Sequence, residues 1–133
     1  MKKDIRLVSL FIFLIALDQF SKLIFIEESN CNKNIAWSIP LAPGFFYLFW
    51  ITIFLILIYS FLKSQNHFEK IALTFVLSGA ISNMVDRVTR GCVIDFIDLK
   101  IWPVFNPADI YITIGVVLLI MIYAKYKIQD TKY

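Results

Sequence analysis

Four runs of apolar residues constrain this chain more than any other feature. They extend roughly from Leu7 to Ile26, Phe45 to Leu62, Ile71 to Val88 and Ala108 to Tyr123. Each approaches the ~20 residues that a helix needs to cross a bilayer. Of the 133 residues only 17% are charged, against about 25% in a soluble domain, and mean hydropathy is +0.74. The fold class expected is therefore an all-α integral membrane protein with four transmembrane helices. There is no internal repeat, low-complexity tract or domain boundary, so residues 1–133 read as one domain. The first run is too long for the apolar part of a signal peptide, contains Asp18 and Lys22, and precedes no small-residue cleavage site. It reads as a retained helix.

Basic residues orient the helices. Lys2, Lys3, Arg6, Lys63, Lys70, Lys125, Lys127 and Lys132 fall on one side, against Lys33, Arg87, Arg90 and Lys100 on the other. The excess marks the cytoplasmic side, which puts both termini and the loop "KSQNHFEK" inside. The longer loops, Glu27 to Gly44 and Thr89 to Pro107, then face outward. A net charge of +3 is too small to argue for a nucleic-acid partner. Cys31 and Cys92 lack metal-ligand spacing and read first as small apolar residues, with a bridge, which would need an oxidising face, as the lesser alternative.

In this orientation the polar residues converge at one depth, the outer interface. Asp18 and Lys22 stand in the outer half of the first helix, at a spacing suited to an ion pair. Gly79, Asn83, Asp86 and Arg87 form one stripe at i, i+4, i+7 and i+8 on the third. There Gly79 would admit a neighbouring helix, while the polar members could simply hold helices together. In "FNPAD", Asn106 suits an N-cap, Pro107 the first helical position, and Asp109 the first turn, where the helix dipole favours a carboxylate. Helix-start chemistry alone would account for that motif. "VIDFID" reads as a short extended segment carrying Asp95 and Asp98, of which Asp98 better fits an ordinary loop carboxylate.

The chemistry available is limited. The single histidine, His67, lies in the cytoplasmic loop, which argues against a Ser-His-Asp triad or a histidine-ligated zinc. There is no phosphate-cradling glycine loop. What the chain has is carboxylate, and two carboxylates that share a proton can activate water without metal or cofactor.

"DQFSK", "NMVDR", "VIDF" and "FNPAD" together resemble the signal peptidase II (lipoprotein signal peptidase) family, in family order and over nearly the whole chain. The resemblance implies an intramembrane aspartic endopeptidase of the bacterial inner membrane. It would cleave a diacylglyceryl prolipoprotein before the lipid-bearing cysteine, as a monomer in lipid and with no cofactor. Asp95 and Asp109 match the catalytic dyad. Asp18, Lys22, Gly79, Asn83, Asp86, Arg87 and Asn106 match supporting positions, and Asp98 has no catalytic counterpart. Where the family has "NxGAAF" this chain has "NKNIAW": Asn32 matches the first asparagine, while Asn34 and Ile35 replace glycine and alanine. Only nine residues separate Lys22 from Asn32, fewer than the family's usual outer segment. The alternatives are a small proton-coupled transporter, whose carboxylates would belong nearer the midplane, and a structural membrane subunit.

Overall fold

The computed structural model describes residues 2–33 and 43–130. Lys132 and the Asn34 to Trp37 part of "NKNIAW" lie outside them. The elements in order are α1 (Lys2–Ile24), a 3-10 turn (Ile26–Glu28), β1 (Asn30–Asn32), α2 (Pro43–Lys63), α3 (His67–Arg90), β2 (Val93–Asp95) and α4 (Pro107–Asp130). Among the described residues three helices are long and apolar enough to cross a membrane, Ile5–Ile24, His67–Arg90 and Pro107–Gln129, and α2 carries a shorter apolar stretch, Tyr47–Lys63.

The helices outrun the apolar windows because polar residues can begin and end them. Asn66 caps α3 by accepting a hydrogen bond from the Phe68 amide at 2.9 Å, so the link from α2 is only Ser64 to Asn66. His67 is therefore not a loop residue but the first, exposed residue of α3. At its far end α3 stops at Gly91, whose φ of 76° is left-handed and costs glycine little.

α3 is the central helix, packed against α1, α2 and α4. Its buried face runs through Ala72, Leu73, Val76, Leu77 and Gly79 to Ser82, Asn83 and Asp86. The polar end is as deeply buried as the apolar one: Asp18, Lys22, Ser82, Asp86 and Asn106 are all fully buried. The outward faces are apolar, with Ile12, Phe13 and Phe20 of α1 and Ile120 of α4 exposed. That inversion suits lipid, where apolar side chains gain nothing by hiding from their solvent and polar ones pack inward.

Two glycines set the spacing of α3 and α4. A Cβ on Gly79 would stand 2.4 Å from the Ala108 carbonyl oxygen, and one on Gly115 2.6 Å from that of Ala72. The close approach expected at Gly79 is present, and Gly115 supplies its counterpart from the opposite helix. β1 and β2 form an antiparallel ribbon beside the polar end of α3. Beyond β2 the chain turns back through mutual backbone hydrogen bonds between Ile97 and Phe105, delivering Asn106 to the start of α4.

Candidate active site

The site is built outward from Lys22. Its ammonium has three N–H groups and meets three acceptors: Asp18 Oδ2 at 2.7 Å, Asp86 Oδ2 at 2.7 Å and Asn83 Oδ1 at 2.9 Å. Every donor is used. Asp18 also accepts from the Ser82 hydroxyl at 2.6 Å and the Ala108 amide at 2.8 Å. Asp86 accepts from Gln19 at 3.0 Å, the Ile94 amide at 3.4 Å and the Arg90 guanidinium. Asp18, Lys22, Asp86 and Arg90 thus form a charge-balanced set. Pairing and full hydrogen bonding are what allow such groups to be buried.

This set holds the start of α4. Asp18 of α1 takes the Ala108 amide, one of the N-terminal groups that a helix cannot satisfy internally. Asn106 and Asp109 then cap each other: the Asp109 amide donates to Asn106 Oδ1 at 3.1 Å, and the Asn106 amide donates to Asp109 Oδ2 at 3.2 Å. This reciprocal arrangement is a capping box with aspartate in the third helical position. Helix-start chemistry thus orients the Asp109 carboxylate.

Two asparagines carry the connection to Asp95. Asn83 spends its oxygen on Lys22 and on Asn106 Nδ2, so its own amide nitrogen faces Asp109 Oδ1, 2.8 Å away. Asn106 Nδ2 also donates to Asp95 Oδ1 at 2.6 Å, and Asn32 Nδ2 donates to Asp95 Oδ2 at 2.9 Å. Asp95 and Asp109 therefore meet at one asparagine. Burial pushes the Asp95 carboxyl up to about 6; the Asn32 hydrogen bond pulls down, the Asp109 charge pushes up, and Asn106 and Lys22 pull down. Asp98 lies apart and exposed, paired with Lys100 at 2.6 Å, which holds its carboxyl below the usual range. Among the described residues, no group of three or more His, Cys, Asp or Glu is placed to hold a metal ion.

The structure brings together Asp18, Lys22, Asn32, Asn83, Asp86, Asp95, Asn106 and Asp109, while Arg87 lies alongside, bonding the Asn83 carbonyl at 3.3 Å. Gly79 stands one turn below Asn83. Sequence reasoning missed Gln19, Ser82 and Arg90. Arg90 had a signal, since it follows Asp86 at i+4; Gln19 had only its place within "DQFSK", and Ser82 only its place beside "NMVDR". It also misjudged the cysteines. Cys31 and Cys92 form a disulfide with a Cα–Cα distance of 5.4 Å, because the pairing of β1 with β2 brings together residues 61 apart in sequence.

Comparison with known proteins agrees with this geometry. The family model described as "Signal peptidase (SPase) II" matches residues 10–125. A lipoprotein signal peptidase of Caldicellulosiruptor bescii is 43% identical over 95 residues, 71% of this chain and 63% of that protein. One from Staphylococcus aureus is 40% identical over 100 residues, 70% of this chain and 61% of the relative. The match thus spans less than two thirds of either relative's length. A bacterial membrane enzyme solved by the in meso method at 2.3 Å superimposes with a TM-score of 0.82 at 31% identity, covering 90% of this chain and 88% of that one. A second, at 1.9 Å, gives 0.78 at 29% identity, covering 89% and 92%. The chain belongs to the signal peptidase II family.

Proposed function

We propose that the protein is an intramembrane aspartic endopeptidase that removes signal peptides from diacylglyceryl prolipoproteins, cutting before the lipid-bearing cysteine. The observation that carries this reading is the meeting of Asp95 and Asp109 at Asn106. The pair holds one proton between them. The ionised member takes a proton from water as the water oxygen attacks the scissile carbonyl, and the protonated member supplies a proton to the carbonyl oxygen. Collapse of the tetrahedral intermediate breaks the C–N bond and sends a proton to the departing amine. Neutral amide donors around both carboxylates suit this cycle, because they orient the groups without forcing either to stay charged.

In this reading the chain is a monomer with four spans in the bacterial inner membrane, both termini cytoplasmic and the site near the outer face. The substrate's acyl chains lie in lipid, which confines both partners to one plane. No cofactor takes part. A carboxylate pair with one member on β2, beyond the end of α3, and the other in the first turn of α4 favours this over a proton-coupled transporter, whose coupling groups belong nearer the midplane.

The test is cleavage of a lipidated prolipoprotein by purified protein with a chelator present. Asp95→Asn and Asp109→Asn should each abolish turnover in a folded protein, because an amide keeps the shape but cannot carry the proton. Asp98→Asn should retain most activity. Substantial turnover by either of the first two variants would sink the mechanism.

A further inference from the structure

β1 is a weak element at a critical place. It has three residues, two of them asparagine, and Cys31 lies exposed. A two-stranded ribbon is marginal at best in water, and register is weakly specified where a strand is short and polar. β2 is different: Cys92, Val93 and Ile94 are buried, and the Ile94 amide is bonded to Asp86. The strand in need of a fastening is β1.

The register shows where the fastening sits. Asn30 pairs with Asp95, Cys31 with Ile94 and Asn32 with Val93. Side chains alternate between faces, so Asn32 and Asp95 share one face, and Cys31, Ile94 and Cys92 share the other. Each face carries a diagonal link two residues off the register, in opposite senses. On one, Asn32 donates to Asp95 at 2.9 Å; on the other, Cys31 is bonded to Cys92. A slip of one residue would turn Asn32 away from Asp95, and the disulfide forbids it. The Phe25–Phe96 ring stack at 4.8 Å flanks the ribbon, but the 3-10 turn between Phe25 and β1 leaves the register open.

We propose that the Cys31–Cys92 disulfide is a positioning device for the Asn32 carboxamide, locking the register in which Asn32 orients Asp95, so that turnover depends on the oxidised state of these thiols. The inference rests on the reading of Asp95 as a catalytic carboxylate. Closing the bridge joins the two sulfurs and passes their two protons and two electrons to a disulfide-bearing thiol oxidoreductase, whose own S–S bond breaks and which leaves as a dithiol.

The test compares full-length wild type with Cys31→Ser/Cys92→Ser, Asn32→Ala and the triple variant on a lipidated prolipoprotein. The cysteine variant should lose about tenfold in kcat, the worth of one hydrogen bond to a charged group, with KM within about twofold. Asn32→Ala should lose a similar factor, and the triple variant should fall no further, because the disulfide acts through Asn32. The upper limb of the pH–rate profile should move the same way in all three. The other charged groups facing Asp95, namely Asp109 from α4, Lys22 from α1 and Arg87 from α3, are untouched in each. Treatment of wild type with a phosphine reductant should reproduce the loss, and reoxidation should reverse it, which separates positioning from misfolding. Wild-type kcat in the cysteine variant, losses that multiply in the triple variant, or a loss confined to KM or thermal stability would overturn the inference. An active Asp95→Asn would instead overturn the catalytic reading beneath it.

Discussion

Gly79→Ala adds one methyl group and should separate packing from chemistry. Its Cβ would stand 2.4 Å from the Ala108 carbonyl oxygen, 2.7 Å from Ile112 Cγ1 and 3.2 Å from the Ala108 carbonyl carbon. An unstrained carbon–oxygen contact needs about 3.3 Å, so α3 and α4 must part by about 0.9 Å at this level. The oxygen is backbone and cannot rotate away. Such overpacking costs about 1–3 kcal/mol. The same shift pulls on the Ala108 amide, now 2.8 Å from Asp18, and carries Asp109 with it. A displacement of about 1 Å in a reacting group can cost about a hundredfold in rate, so kcat should fall by that order. Gly115→Ala is the control. It clashes as severely, 2.5 Å from Val76 Cγ2 and 2.6 Å from the Ala72 oxygen, but lies two turns, about 10 Å, further along α4 from Ala108. It should lose similar thermal stability in detergent while keeping kcat within about threefold, because effects so far apart are largely independent. Cleavage kinetics and thermal unfolding of both variants provide the comparison. Equal losses of kcat would show that α4 moves as a rigid body, and the local argument would fail. Wild-type behaviour of Gly79→Ala in both assays would refute the close approach itself.

Asn32→Ala should move the upper limb of the kcat/KM profile to higher pH. With Asp95 titrating at about 6 and the Asn32 hydrogen bond pulling it down, loss of that donor raises the pKa and extends the protonated form upward. A limb that moved down, or stayed fixed, would break the link between Asn32 and Asp95. Lys22→Met should cost about 3–5 kcal/mol, since removing one partner of a buried ion pair strands the others, and cleavage should be lost with it. Lys22→Arg should not restore it, because a planar fork does not replace a compact ammonium with three separate acceptors. Thermal unfolding in detergent measures the first effect and prolipoprotein cleavage the second.

The parts legible in the sequence are those whose physics is local. The apolar runs announce helices because bilayer thickness is a length, and Asn106–Pro107 announces the start of α4 because a cap and a missing N–H act within one turn. The Gly79, Asn83 and Asp86 stripe is legible for the same reason: helical spacing alone gives it one face. The helix ends were less legible, since Asn66 starts α3 by capping rather than by hydropathy. The disulfide was legible only as the lesser alternative, because its closeness is created by a register between strands more than 60 residues apart. Gly115 was hidden similarly. In "TIGVVLLI" it is one small residue in an apolar run, and only the crossing of α3 shows that its missing Cβ makes room for Ala72 and Val76.

Five of the described aspartates fall into three kinds according to what donates to them. Asp18 and Asp86 each receive Lys22, and Asp86 also receives Arg90; these ion pairs tie α1 to α3. Asp98 sits outside the site on exposed Lys100. Asp95 and Asp109, by contrast, are bonded among the described residues by neutral donors, namely the amides of Asn32, Asn83 and Asn106 and the backbone of Asn106. Neutral donors fix an orientation without fixing a charge. The lysine that would otherwise neutralise such a pair is held at one remove, its contact passing through the Asn83 carboxamide. Asn83 thereby turns the demand of a cation for an oxygen into a directed N–H on Asp109. Lys22 and Arg90 are thus paired with Asp18 and Asp86, while Asp95 and Asp109 keep their amide partners where α4 begins, the arrangement that the proposed proton-sharing pair requires.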